Sequence, residues 1–326
     1  MKILVTGGAG LIGSNLVLQL VKYGKDVSVV DNLWRGKKEN LYKDGQAVIN
    51  IESKFFERDL CDYSNCIDVT RGIDAVVHLA DIVAGINFVF ENEYLVFHSN
   101  MLINSNMLRA SIKNSVRRYL YVGTACSYPL EKQNTIDPPP LREEDAYPAN
   151  PESSYGWSKL MGEYECGLAE KEDNIKTSVL RLHNVYGAPC DISVEKSQVI
   201  PALCRKAVNY PDEDFIVWGS GKQKRAFLYV SDVVDAIIAA IDKGMNKGVI
   251  QIGPTMSHAI SDVAERIVSL SGKDIEIKYD VTKPEGDRDR MANNNKAKEV
   301  LDWVPHVSLD KGLEQTFRWV REKLKG

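Results

Sequence analysis

Apolar positions near the start of the chain come in short runs separated by amphipathic stretches. Ile3, Leu4 and Val5 form one run and residues 27–30 the next; between them lie Thr6-Gly7-Gly8-Ala9-Gly10-Leu11-Ile12-Gly13 and a segment with helical apolar spacing. This pattern predicts strand, glycine-rich turn, helix and strand, with Asp31 on the tip of the second strand. Further runs predict strands near 55–56 and over 74–79, 118–122 and 176–181. Helices are expected over 64–70, over 94–113, and from a cap at Ser153 or Ser154 to about 172. Such alternation makes an α/β fold, a doubly wound parallel sheet with helices on both faces.

After residue 184 the alternation becomes less regular. Pro201 opens a helix, short strands are expected at 215–218, 227–230, 249–252 and 275–279, and helices at 231–241, at 260–270 and near Lys296 and Leu309. The stretch 129–151, with Pro138-Pro139-Pro140, reads as an irregular surface loop. At 326 residues the chain exceeds the usual span of one core. A large domain over 1–183, rejoined by about 222–245, is therefore expected beside a smaller discontinuous α/β C-terminal lobe of 184–221 and 246–326.

Composition narrows the function classes. A formal charge of -4 offers no footprint for nucleic acid or an anionic membrane, and no apolar run reaches membrane-spanning length. Met1-Lys2 leads directly into a strand and leaves no room for a leader, so a cytoplasmic location is expected. The six cysteines lack paired CxxC spacing and the five histidines are scattered, which predicts reduced thiols and no metal site.

The first strand, turn and helix suit a dinucleotide. Gly7 and Gly10 let backbone N–H groups approach a pyrophosphate, with Leu11 and Ile12 at the electropositive helix start. Asp31, followed by Asn32, is placed to accept from the adenosine ribose hydroxyls and repels a 2′-phosphate, favouring NAD over NADP. Asp59-Leu60 and Leu79-Ala80-Asp81 end strands that line the crevice, where they are expected to flank the adenine and pyrophosphate.

Tyr155-Gly156-Trp157-Ser158-Lys159 is the second decisive stretch, because residues four apart share a helix face. An ammonium one turn from a phenol is expected to lower its pKa, and Lys159 can also hold the ribose of a nicotinamide. Tyr155 as phenolate then takes a proton from a substrate hydroxyl. Tyr-x-x-x-Lys alone is a common structural match; the glycine turn and Thr124, just past a strand, give it weight here.

With these pieces the chain resembles the extended short-chain dehydrogenases/reductases that act on nucleotide sugars. The matching residues run nearly from end to end: Thr6 to Gly13, Asp31-Asn32, His78-Leu79-Ala80, Asn100, Thr124, Tyr155 to Lys159, Arg181 to Gly187, Trp218 to Phe227, and Leu301-Asp302-Trp303-Val304-Pro305. The resemblance implies a Rossmann domain that holds NAD, with Asn100 among its contacts, and a C-terminal substrate lobe that clamps a nucleotide sugar through Asn184, Arg225 and Arg288. It also implies a homodimer paired through the helices at 94–113 and 153–172.

Within that family a 4,6-dehydratase resembles Thr-Asp-Glu where this chain has Thr124-Ala125-Cys126. Thr124 to Pro129 is instead similar to the GDP-mannose 3,5-epimerases, as are Ala84-Gly85-Ile86-Asn87-Phe88, Leu203 to Ala207 and Pro284 to Arg290. That likeness favours a GDP-sugar, places Gly85 at the substrate, and requires a lysine as second acid/base. Ungapped alignment puts Gln198 at the lysine's position, with Lys196 the nearest ammonium. Cys126 has two readings: an acid/base beside a 4-keto sugar, or a small residue filling a strand end. A 4-epimerase of UDP-hexose or hexuronate type, another nucleotide-sugar 4-oxidoreductase, and a non-catalytic NAD-binding protein stand as alternatives.

Overall fold

The computed structural model describes residues 1–326 apart from 136, 174, 284 and 326, so Pro284 of the 284–290 stretch lies outside the described residues. Seven parallel strands form the central sheet, in the spatial order Val249–Ile252, Lys176–Leu182, Arg118–Thr124, Ala75–His78, Lys2–Thr6, Asp26–Asp31, Phe55–Glu57. Chain order runs outward in both directions from Lys2–Thr6, so a crevice opens where this strand and Ala75–His78 diverge. The Thr6 hydroxyl fastens this point: it accepts from the N–H groups of Leu79 and Ala80 and lies 2.9 Å from His78 Nδ1.

Strand residues such as Ile3, Leu4, Val5, Val77 and Leu120 are fully buried, as a sheet covered on both faces requires. Helices Leu11–Lys22 and Val230–Lys243 cover one face through Leu16, Val17, Leu20, Val233, Ile237 and Ile241. The other is covered by Tyr63–Thr70, Glu93–Lys113 and Ser154–Glu172, with Val69, Ile103, Met107, Cys166 and Ala169 inward. Ser153 caps the last of these helices by accepting from Gly156 N. The smaller lobe packs helices Val199–Asn209, Ile260–Ser271 and Leu309–Lys325 around Phe215 and Val217. Gly272, at φ +67°, ends the second of them where a stop was expected.

Three expectations change. The return to the large domain does not stop near 245, because Val249–Ile252 is the edge strand of the sheet, and Ala297 and Leu301 of helix Asn295–Leu301 bury themselves in the same core. Val249 to Ile252 is an apolar run equally suited to either lobe; pairing with Lys176–Leu182 decides. The strand expected at 275–279 is Lys278–Asp280, because backbone pairing with Ile216–Trp218 begins only there. The proline-rich loop is not wholly superficial: Leu141 and Ala146 are buried against Ala125, Tyr128 and Leu160. Among the described residues no helix is long and apolar enough to cross a membrane.

Candidate active site

A cleft of about 960 Å³ runs along the carboxyl ends of the strands between the two lobes. Gly7, Gly10, Leu11, Ile12, Asp31, Asn32, Asp59, Leu60, Leu79 and Ala80 line one end. Gly7 sits at φ +64°, and a Cβ there would lie 3.0 Å from Ala80, so glycine is needed both for the turn and for the close approach. A Cβ on Gly13 would overlap the carbonyl oxygen of Gly7, which lets the helix start press against the turn. Asp31 accepts from Ala9 N at 3.0 Å and Leu33 N at 2.8 Å; burial raises its pKa against these two bonds. A backbone cradle at a helix start, with a fixed carboxylate beyond it, fits the dinucleotide implied by the resemblance.

Asn100 belongs to the support of this cradle. It is fully buried, is not part of the cleft wall, and holds the segment after Ala75–His78 by accepting from Ile82 N at 2.7 Å and donating to Ile82 O at 3.1 Å. Its amide is spent on the chain, which a sequence motif alone does not reveal.

Thr124, Cys126, Tyr155, Gly85 and Asn184 line the other half of the cleft. A Cβ on Gly85 would lie 3.1 Å from Ser197 O, so the loops of the two lobes meet closely there. Tyr155 and Lys159 share a helix face as the spacing predicts, yet Asp81 stands between them. Its Oδ2 accepts from Tyr155 Oη at 3.0 Å and lies 3.4 Å from Lys159 Nζ. Asp81, expected with Leu79 and Ala80 beside the pyrophosphate, lines the same cleft and turns its carboxylate to this pair. The expectation of a phenol made acidic by its ammonium neighbour reverses: burial first, then the Asp81 carboxylate, hold the Tyr155 phenol well above its ordinary range.

Substrate-side residues divide. Arg225 lines the cleft, but its guanidinium donates to its own chain, at Asp287 O (2.6 Å), Lys224 O (2.8 Å) and Glu285 O (3.1 Å). Arg288 is exposed and outside the cleft wall; two residues on, buried Arg290 lines the cleft. Arg290 Nη2 lies 3.5 Å from Cys126 Sγ and 3.4 Å from Asn184 Oδ1, and Nη1 pairs with Asp287 Oδ2 at 2.8 Å. Arg290 Nε and Asp287 Oδ1 are buried with no hydrogen-bond partner among the described residues, leaving capacity for a ligand. Lys196 is drawn away: its Nζ donates to Trp34 O at 2.9 Å and lies 4.5 Å from the Trp34 ring centroid. Gln198, not Lys196, is in the wall.

Glu152 is a further cleft residue that motif reading missed. Burial and the facing Asp287 carboxylate push its carboxyl up to about 7, above the ordinary 4.5. The folded protein therefore keeps a proton that the unfolded chain releases. Stability from that proton is present below about pH 4.5 and is lost as pH rises toward 7. Thermal midpoints at about pH 5 and about pH 8 are expected to differ less in Glu152→Gln than in the parent. An unchanged difference would take Glu152 out of this titration.

The family described as "NAD dependent epimerase/dehydratase" matches residues 3–253. GDP-mannose 3,5-epimerase of Arabidopsis thaliana is 32% identical over 325 residues, covering 100% of this chain and 83% of its own. UDP-glucose 4-epimerase of Lactobacillus helveticus is 30% identical over 345 residues, covering 100% of this chain and 99% of its own. Among solved structures, the UDP-glucose 4-epimerase of Thermotoga maritima with UDP-glucose has a TM-score of 0.89 at 29% identity, covering 99% of this chain and 100% of that one.

Proposed function

Because this chain belongs to the NAD dependent epimerase/dehydratase family, we propose that it epimerises a nucleotide sugar, with a GDP-sugar as the preferred class, through a transient 4-keto intermediate. The chemistry supplied by NAD in the cradle is reversible acceptance of hydride from the sugar carbon. Tyr155 takes the proton of the fourth hydroxyl. Thr124 Oγ1 accepts from Cys126 N at 3.2 Å, which leaves its own O–H to donate toward the sugar. Once C4 is a ketone, the hydrogens on C3 and C5 become acidic, and Cys126 removes or returns one of them. Arg290 supplies a cationic donor beside the sulfur while the proton moves, and Asn184 and Arg290 together suit the diphosphate, with Arg225 fixing the 285–287 segment beside them.

The observation that carries this reading is the meeting of Cys126 and Arg290 in the cleft that holds Tyr155. Offered candidate GDP-, UDP-, dTDP- and CDP-sugars in deuterated water, the enzyme is expected to place deuterium at C3 or C5 of one of them. Cys126→Ala should still form NADH on adding that sugar while exchanging solvent about 10²–10⁴-fold more slowly. Undiminished exchange would remove Cys126 from the mechanism.

One observation favours a second reading, inversion at C4 alone: Lys196, the ammonium nearest the place of the second acid/base of 3,5-epimerisation, is engaged with Trp34. That reaction gives an epimer without solvent label. The homodimer is supported by exposed Tyr94, Leu95, Phe97 and Leu102 on helix Glu93–Lys113 and Tyr164 and Leu168 on Ser154–Glu172. They form an apolar face suited to a second copy.

A further inference from the structure

The Asp81 carboxylate joins the phenol of Tyr155 to the ammonium of Lys159. The Lys159 side chain is 1% exposed and that of Asp81 12%, so this ion pair is largely shielded from water, while Tyr155 is partly exposed. Lys159 Nζ also lies 4.6 Å from the Tyr121 ring centroid, which leaves Asp81 as its carboxylate partner. Asp81 and Tyr155 both face the cleft.

Resting on the epimerase reading of the cleft, we propose that Asp81 accepts the phenol's own proton: as Tyr155 Oη takes hydrogen from the sugar hydroxyl, the hydrogen it already carries passes to Asp81 Oδ2. The step balances. The sugar O–H bond breaks and a new Tyr155 O–H forms; the former Tyr155 O–H breaks and an Asp81 O–H forms. NAD held in the cradle would supply the acceptor for the C–H electron pair as hydride while C=O forms. Reduction of the ketone runs both proton moves in reverse.

Charge arrangement explains why a relay is needed. A free phenolate at Tyr155 would stand 3.0 Å from an ionised carboxylate in a buried site, where like charges repel strongly. Lys159, the cation that would otherwise stabilise that phenolate, is already paired with Asp81. The other groups facing Tyr155 do not relieve it: Cys126, from the turn after Arg118–Thr124, and Tyr121, from that strand, both disfavour phenolate. Arg290 is engaged with Cys126, Asn184 and Asp287. In the relay the phenol stays neutral, and the negative charge is lost only at Asp81 while the keto sugar exists.

The test uses Asp81→Asn, which keeps shape and removes the charge, with Asp81→Ala as a second variant. Tyrosine labelled with ¹³C at Cζ reports phenol ionisation by NMR in the full chain without sugar, and the Tyr155 signal is the one missing in Tyr155→Phe. In both Asp81 variants that signal is expected to titrate about one pH unit or more below the parent, a tenfold or larger change in the ionisation equilibrium. With sugar added, NADH formation in the variants should follow their phenolate fraction, rising about tenfold per pH unit below the new midpoint, whereas the parent's does not. Titration of Tyr155 at the parent's pH in both variants overturns the proposal, and so does a parent-like pH–rate profile. Because the NMR titration needs no sugar, its failure overturns the Asp81–Tyr155 coupling even if every sugar offered is refused, and the pH–rate profile then separates a relay from a merely electrostatic neighbour.

Discussion

Tyr155→Phe is expected to slow sugar oxidation by about 10²–10⁴-fold and to leave NAD in place. The phenol oxygen is the atom that meets both the cleft and Asp81 Oδ2, so its removal cuts the proton path at its first link. The ring keeps its packing, and the cradle at Gly7, Gly10 and Asp31 lies on other strands. Two measurements check this. NADH absorbance after mixing with sugar should lose its fast rise, while acid release of the nucleotide from purified protein should return the parent's amount. A parent-like rise would mean that another group takes the hydroxyl proton.

Glu163→Ala is expected to cost about 3–5 kcal/mol of stability, read from the denaturant midpoint. Glu163 Oε2 lies 2.6 Å from Arg181 Nη2 with both side chains almost wholly buried. Burial opposes the guanidinium charge and the Glu163 carboxylate outweighs that penalty. Removing the acid strands a cation beside Tyr128, whose ring centroid is 4.6 Å away, with Glu143 O at 3.0 Å and no carboxylate ion-paired to it among the described residues. Replacing both partners together, Glu163→Leu with Arg181→Met, should recover most of the loss, since an apolar pair carries no stranded charge. Equal losses in the single and double variants would show that packing, not the pair, is responsible. The pair also ties helix Ser154–Glu172 to strand Lys176–Leu182, so the single variant loosens the helix that carries Tyr155 and Lys159.

What could be read from the chain beforehand was whatever is encoded locally. Glycine spacing, the apolar runs around it and Asp31 all lie within one strand-helix-strand unit, and Tyr155 and Lys159 within one helical turn; these features formed as expected. The proton-transfer geometry was not local. Asp81 meets Tyr155 across 74 positions, and Arg290 meets Cys126 across 164, so neither contact leaves a periodic trace. Arg288 and Arg290 alternate along a loop with no helical or strand period to say which faces inward. Asn100 was legible as a motif residue, but its two bonds to Ile82, which fix the segment after Ala75–His78, were not. Lys196 could be named but not aimed, because the Trp34 ring that holds it comes from the far side of the sheet order.

All seven strands point the same way, so the reactive side chains hang from one rim of the sheet. The part of that rim after Lys2–Thr6 and Asp26–Asp31 carries the glycine turn and Asp31; the segments around 189–198 and 285–290 come from the other lobe and line the same cleft, where the proposed function puts the sugar. These two sets of loops share no strand. An engineer wishing to change the accepted sugar therefore has a natural seam: rebuild those two segments, keep the sheet, and the hydride machinery travels unchanged into the redesigned enzyme.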